Sequence, residues 1–151
     1  MVAVVVAVGV GVVLTLALDP GLEYAVAVGQ DGQLVAAYFR PPLPGPWRPD
    51  EVVVEFPKYY EGGAPANKII ELAFSAGIQA GNLGCGPLTL PKRVPTVALP
   101  KTIVAARVLK ILTVDELGVL KTAMKQTPKA MQDNVVDAVR HLMVHYRRMI
   151  P

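Results

Sequence analysis

Short apolar, β-branched runs broken by turn residues fill the first third of the chain, and longer stretches with a helical repeat fill most of the rest. The first run, over residues 12–18, reads as a strand that ends at Asp19, where Pro20 and Gly21 turn the chain. Residues 23–28 return as a second strand, Gln30, Asp31 and Gly32 supply the next turn, and residues 33–39 form a third strand. Together they predict an antiparallel meander. The five prolines of residues 40–49 surround Trp47 and predict a stiff surface loop, because proline removes the ladder donor. A fourth, Val-rich strand spans residues 51–56 and is ended by Pro57.

Beyond this strand the period changes. Ile69, Ile70, Leu72, Ala73, Ala76 and Gly77 recur at helical spacing after Pro65, a good helix-start residue, and predict a helix over residues 67–79. The small residues Ala73, Gly77, Ala80 and Gly81 would let another backbone approach closely. A fifth strand is expected near residues 95–99, followed by a helix over 101–112. Thr113 with Glu116 forms a capping box for a helix over 114–125, and a last amphipathic helix covers about residues 130–148. Three meander strands, a fourth strand, a helix, a fifth strand and closing helices predict an α/β domain with a mixed five-stranded sheet flanked by helices.

The length of 151 residues fits one core, so residues 12–151 are read as one domain behind an apolar extension of residues 1–11. With 52% apolar and only 18% charged residues, disorder is excluded and a sheet buried on both faces is favoured. The uncharged stretch of residues 1–18 is long enough to be weighed as a membrane span. It lacks a positive leader, is built of Val rather than Leu, and runs without a polar break into Asp19, so a β-prone extension and a strand are the preferred reading. No stable membrane association and a cytoplasmic location are therefore expected. Cys85 is the only cysteine, which rules out an intramolecular disulfide and a thiolate metal cluster; between Gly84 and Gly86 it reads as a small turn residue in a reducing interior.

Charge divides the chain. Residues 1–91 carry four basic and eight acidic side chains, whereas residues 92–151 carry eleven basic and four acidic ones. The second part suits a phosphate-bearing partner, although a solvated lysine face gives the same count.

The acids carry the chemistry. Asp19 and Glu55 each stand at the C-terminal end of an apolar strand, where an uncompensated charge is costly without a metal or a partner. If the first and fourth strands are neighbours, the two carboxylates converge. Asp19 alone reads as an ordinary turn residue, but Glu55, between Val54 and Phe56, reads as a deliberate polar insertion. On the last helix Asp133 and Asp137 share a face, and His141 and His145 continue that line at intervals of four. The two histidines at this spacing could bind a transition metal but read rather as a solvated helix end, and Arg147 and Arg148 read as complements to the helix dipole.

These residues carry a resemblance. The stretch Leu16-Ala17-Leu18-Asp19-Pro20-Gly21-Leu22 followed by Tyr24-Ala25-Val26-Ala27 resembles the first motif of RuvC-type Holliday junction resolvases, an apolar strand ending in Asp-Pro-Gly. Val52-Val53-Val54-Glu55-Phe56-Pro57 resembles their second motif, and Asn134-Val135-Val136-Asp137-Ala138-Val139 resembles the terminal helix of the phage-type members. Lys101 looks like the helix lysine that approaches the DNA. The likeness runs in order over residues 14–142.

The resemblance implies an RNase H-like fold and a magnesium-dependent endonuclease acting on branched DNA as a homodimer, in a bacterial or phage-infected cell. It implies two Mg²⁺ ions per site, replaceable by Mn²⁺, held by Asp19, Glu55 and Asp137, with Lys101 toward the DNA; Lys92, Arg93 and Arg107 of the basic half and Asn134 are further candidates to contact it. The chain departs from the bacterial pattern three residues before the final aspartate, where it has Asn134 in place of an acid or histidine; Asp133, one residue earlier, is the candidate for the second metal. Hydrolysis of a phosphodiester by two such ions needs a few convergent hard oxygen ligands, which these carboxylates supply. Nucleases of the pre-ribosomal RNA type share the carboxylate plan, and a binding-only protein would keep the basic half without needing Glu55 and Asp137. Sugar-kinase and actin-like ATPases need two such domains, and this chain is too short.

Overall fold

The computed structural model describes residues 13–55, 63, 65–84 and 91–151. The expected apolar extension of residues 1–11, the start of the first strand at Val12, the strand end at Phe56 and Pro57, and the turn around Cys85 lie outside these residues.

The meander forms as expected. Strand β1 (Leu14–Asp19) pairs antiparallel with β2 (Ala25–Gln30), which pairs antiparallel with β3 (Gln33–Phe39). Asp31 and Gly32 both take positive φ, 50° and 82°, which matches the tight hairpin turn whose twist suits antiparallel strands. Strand β4 (Glu51–Val54) lies on the other side of β1 and runs parallel to it, and β5 (Lys92–Arg93) runs parallel to β4. The five-stranded order is thus β3-β2-β1-β4-β5, a mixed sheet flanked by four helices and compatible with an RNase H-like fold.

Strand β5 corrects the expectation for residues 95–99. The ladder with β4 holds Lys92 and Arg93 and ends with the Val94 amide on the Val54 carbonyl at 3.0 Å, after which Pro95 offers no donor. The apolar residues that follow are tied to the last helix, where Arg140 Nη2 donates to the Val97 carbonyl at 2.7 Å.

Helices cover both faces. Helix α1 (Ala66–Asn82) packs through Ala76 and Ala80 on the face made by Leu14, Leu16, Leu18, Val26, Val28, Val52 and Val54. Helices α2 (Lys101–Ile111), α3 (Val114–Lys125) and α4 (Gln132–His145) cover the opposite face, where Ala17, Ala25, Ala27, Ala37 and Val53 meet Val104, Leu120, Val139 and Leu142. The small residues let α4 sit close to the sheet: a Cβ at Gly29 would collide with Leu142 and Tyr146. The capping box of α3 is present in both directions, with the Thr113 amide donating to Glu116 and the Glu116 amide to Thr113 Oγ1. Helix α4 is shorter than expected, beginning after a 3₁₀ turn over Lys129–Met131. No helix among the described residues is long and apolar enough to cross a membrane.

Candidate metal centre

Strand parity fixes the site. Side chains alternate between faces along a strand, so the Leu residues of β1 and Val52 and Val54 of β4 face α1, while Thr15, Ala17 and Asp19 with Glu51, Val53 and Glu55 face α4. Because β1 and β4 are parallel with Leu18 beside Val54, the next residues of the two chains, Asp19 and Glu55, emerge together at one end of the sheet. On α4 the residues 133, 137, 141 and 145 form one line at intervals of four. That line crosses the acids.

His141 Nε2 lies 3.2 Å from Glu55 Oε2 and 3.6 Å from Asp19 Oδ1. One ligand atom from each of Asp19, Glu55 and His141 lies within 4.8 Å of the others. His141 is only 1% exposed, and neither of its ring nitrogens makes a hydrogen bond. The acids open on a cleft of about 250 Å³ lined by Asp19, Pro20, Gly21 and Glu55 and by Leu72, Ser75 and Ala76 of α1. Gln79 of α1 clamps the turn that follows Asp19, accepting from the Gly21 amide at 2.9 Å and donating to the Gly21 carbonyl at 2.7 Å. Two carboxylates and a buried imidazole without a hydrogen-bond partner, at the edge of an open cleft, form a donor set that fits a divalent cation.

Asp137 stands one helical turn before His141. Burial, and then the charge of Asp19, push its carboxyl up to about 6, against the opposing pull of His141, Lys101 and Arg140. An acid raised in this way favours its protonated form in the fold, so its ionisation destabilises the metal-free protein as pH rises through about 6. Asp137→Asn is therefore expected to raise the melting temperature of the chelator-treated protein by a few degrees at pH 8. The gain shrinks as pH falls below about 6 toward the ordinary carboxylate range. The same substitution is also expected to weaken stabilisation by added divalent ion, since Asp137 stands one turn from the cluster of Asp19, Glu55 and His141. Thermal melts at pH 8 and pH 5, with and without the ion, check both halves; an unchanged melt at pH 8 in chelator contradicts the first.

The remaining predicted residues lie outside this cluster. Asp133 faces Lys101 Nζ at 3.8 Å and is half-exposed. It lies about 6 Å along the helix axis from Asp137 and about 12 Å from His141, by the rise of four and eight residues, and it is not part of the ligand cluster. Asn134 points its amide back to Met131 Sδ at 3.9 Å. Arg107 and Arg93 are exposed, and Lys92 is paired with Glu51 at 3.0 Å.

Two expectations are corrected. The two histidines are not a solvated helix end, because α4 lies across the sheet and buries His141 on the acids. His145 Nε2 instead meets Glu51 Oε1 at 2.7 Å, where Thr15 Oγ1 also donates at 2.7 Å. Burial pushes the Glu51 carboxyl up, but the contacts with Thr15, His145 and Lys92 outweigh it and hold the group at about 2. Arg148 does more than complement a dipole: both of its terminal nitrogens donate to Glu116 at 2.6 Å. His141 and His145 were readable as members of the Asp137 line; their burial was not.

No protein-family model, curated protein or solved structure matches the chain.

Proposed function

We propose that this protein is a metal-dependent endonuclease that cleaves phosphodiester bonds in branched DNA, in the manner of a Holliday junction resolvase. The observation that supports it is the convergence of Asp19 and Glu55, from neighbouring parallel strands, on the Asp137–His141 turn of one helix at the open end of the sheet. A bound divalent ion, magnesium or manganese, would supply a polarised water and offset charge on the leaving oxygen; this chemistry commonly uses two such ions.

The chain's own residues do the rest. Asp19 and Glu55 would hold the ion from the sheet side and His141 from the helix side, with Asp137 adding a carboxylate one turn before it. Gln79 keeps the turn after Asp19 in register with α1, which walls the cleft. Lys101, held near the centre by Asp133, brings positive charge close enough to be felt at Asp137 and so draws a phosphate toward the acids. Arg93 and Arg147 line a second cleft of about 580 Å³, and with Lys92 and the exposed Arg107 they offer further phosphate contacts.

Paired cuts in a symmetric junction need two active sites, which a two-fold homodimer supplies. The small residues Ala73, Gly77 and Gly81 do not pack on the sheet as Ala76 and Ala80 do, and beside them α1 exposes Ile70, Phe74 and Ile78. Light scattering at micromolar concentration is expected to give twice the chain mass, and Phe74→Glu to give the monomer; a wild-type monomer with and without junction DNA contradicts the pairing.

The functional test is a cleavage panel of four-way junction, fork, linear duplex and RNA hairpin, each with divalent ion and with chelator. Ion-dependent cutting of the junction in preference to the duplex is the expected result. Cutting confined to RNA would move the activity to structured RNA, and binding of the junction with no cutting of any substrate would leave a binding protein.

A further inference from the structure

We infer that the ion position at Asp19, Glu55 and His141 favours a first-row divalent transition cation over Mg²⁺, because one of its protein ligands is an imidazole nitrogen. This rests on reading the cluster as a metal centre and deepens it by naming the ion.

The histidine is the informative member. Its side chain is 1% exposed, and Nδ1 and Nε2 both lack a hydrogen bond, although buried polar atoms in folded proteins are nearly always paired. Nε2 approaches Glu55 Oε2 at 3.2 Å and Asp19 Oδ1 at 3.6 Å without hydrogen-bonding to either. A lone pair on that nitrogen supplies the third corner of a ligand set whose other two corners are carboxylate oxygens. His145, the other histidine of the line, is engaged by Glu51 one turn further on.

The chemistry of the set then decides the ion. Mg²⁺ prefers oxygen ligands and keeps several of its waters, so a nitrogen in place of an oxygen weakens its hold. Imidazole suits the later divalent ions, whereas carboxylate and water suit Mg²⁺, Ca²⁺ and Mn²⁺ alike. Mn²⁺, the weakest binder of the first-row series, still takes an imidazole more readily than Mg²⁺ does and is the member that paramagnetic resonance can follow. Glu55 is 42% exposed on the cleft, so the remaining coordination positions can be filled from solvent or by a substrate oxygen.

The probe is Mn²⁺ itself, added to the full chain and followed by pulsed electron paramagnetic resonance. Wild-type protein is expected to give a nitrogen modulation on the bound Mn²⁺ whose frequency shifts when the histidines are labelled with ¹⁵N. Competition with Mg²⁺ is expected to show at least about tenfold tighter binding of Mn²⁺. His141→Asp makes the set all-oxygen, so the modulation disappears and the preference falls toward parity, while His145→Gln retains both. The isotope shift needs no variant, so misfolding of His141→Asp does not leave the question open. Bound Mn²⁺ without nitrogen modulation, no Mn²⁺ binding, or equal affinity for the two ions overturns the inference. Magnesium-supported cleavage without nitrogen coupling ends this inference and leaves the nuclease reading standing; nitrogen-coupled Mn²⁺ with no cleavage of any substrate does the reverse.

Discussion

Asp19→Asn is expected to abolish junction cleavage while leaving junction binding intact or slightly tighter. The carboxylate stands at the end of β1 with Glu55 beside it and His141 above it, so it contributes to whatever ion the cluster holds. Replacing it with an amide keeps the volume and the turn but removes a full negative charge, and a neutral carbonyl is a weaker ligand. Loss of an outer-shell partner in a metal site typically costs roughly 10–100-fold, so loss of a direct ligand should cost more than about 100-fold in the rate of cutting. Binding moves the other way, since the carboxylate repels phosphate when no ion is present. Single-turnover rates and gel-shift titrations on one labelled junction separate the two effects. Substantial cutting by Asp19→Asn at ordinary ion concentrations would sink the assignment, and Glu55→Gln should behave in the same way.

The largest expected effect on stability lies away from the cleft. Glu116 is 2% exposed and accepts from four directions: the Leu34 amide of β3 at 2.8 Å, the Thr113 amide at 3.0 Å, and two nitrogens of Arg148 at 2.6 Å. It therefore joins the edge of the sheet, the start of α3 and the chain beyond α4 at one point. Removing one partner of a buried ion pair costs about 3–5 kcal/mol, because the other charge is left without compensation. For a domain of this size each kcal/mol moves the melting temperature by about 2–4 °C, so Glu116→Ala should lower it by roughly 10 °C at pH 7. Burial pushes the Glu116 carboxyl up, but the hydrogen bonds from Arg148, Leu34 and Thr113 outweigh it and bring the group to about 2. A carboxyl lowered on folding stabilises fully above its ordinary value of 4.5 and loses that contribution as pH falls toward 2. The gap between wild type and variant should consequently narrow below pH 4.5. Thermal melts at pH 7 and pH 3 measure this; equal melting temperatures at pH 7 would contradict the role given to the pair.

Local rules account for what could be read from the residues. The Asp31-Gly32 turn, the alternation of β1 to β3, and the Thr113–Glu116 box each depend on neighbours a few positions away, and each forms. Asp19 and Glu55 could be picked out because a charge inside an apolar run is costly at any strand end. Their convergence followed once β1 and β4 were neighbours, and the two strands do pair. Strand β5 was missed because Lys92 and Arg93 carry no apolar alternation; pairing with Val53 and Val54 alone makes them a strand. The histidine line was seen, yet its burial depends on α4 crossing β1 and β4, an arrangement no local pattern contains. Arg148 and Glu116 meet across 32 positions for the same kind of reason. Turns, caps and the acids at the ends of β1 and β4 were legible, whereas the pairing that makes β5 and the crossing of α4 were not.

The most direct test of the proposed activity is single-turnover cleavage of a four-way junction already bound to the protein in chelator, started by adding excess divalent ion. The expected result is a pair of symmetric nicks across the branch point that form only after the ion is added, with no cutting when the same protein carries Asp19→Asn. A junction that stays bound and intact through additions of Mg²⁺ and Mn²⁺ would contradict a nuclease centre at Asp19, Glu55 and Asp137.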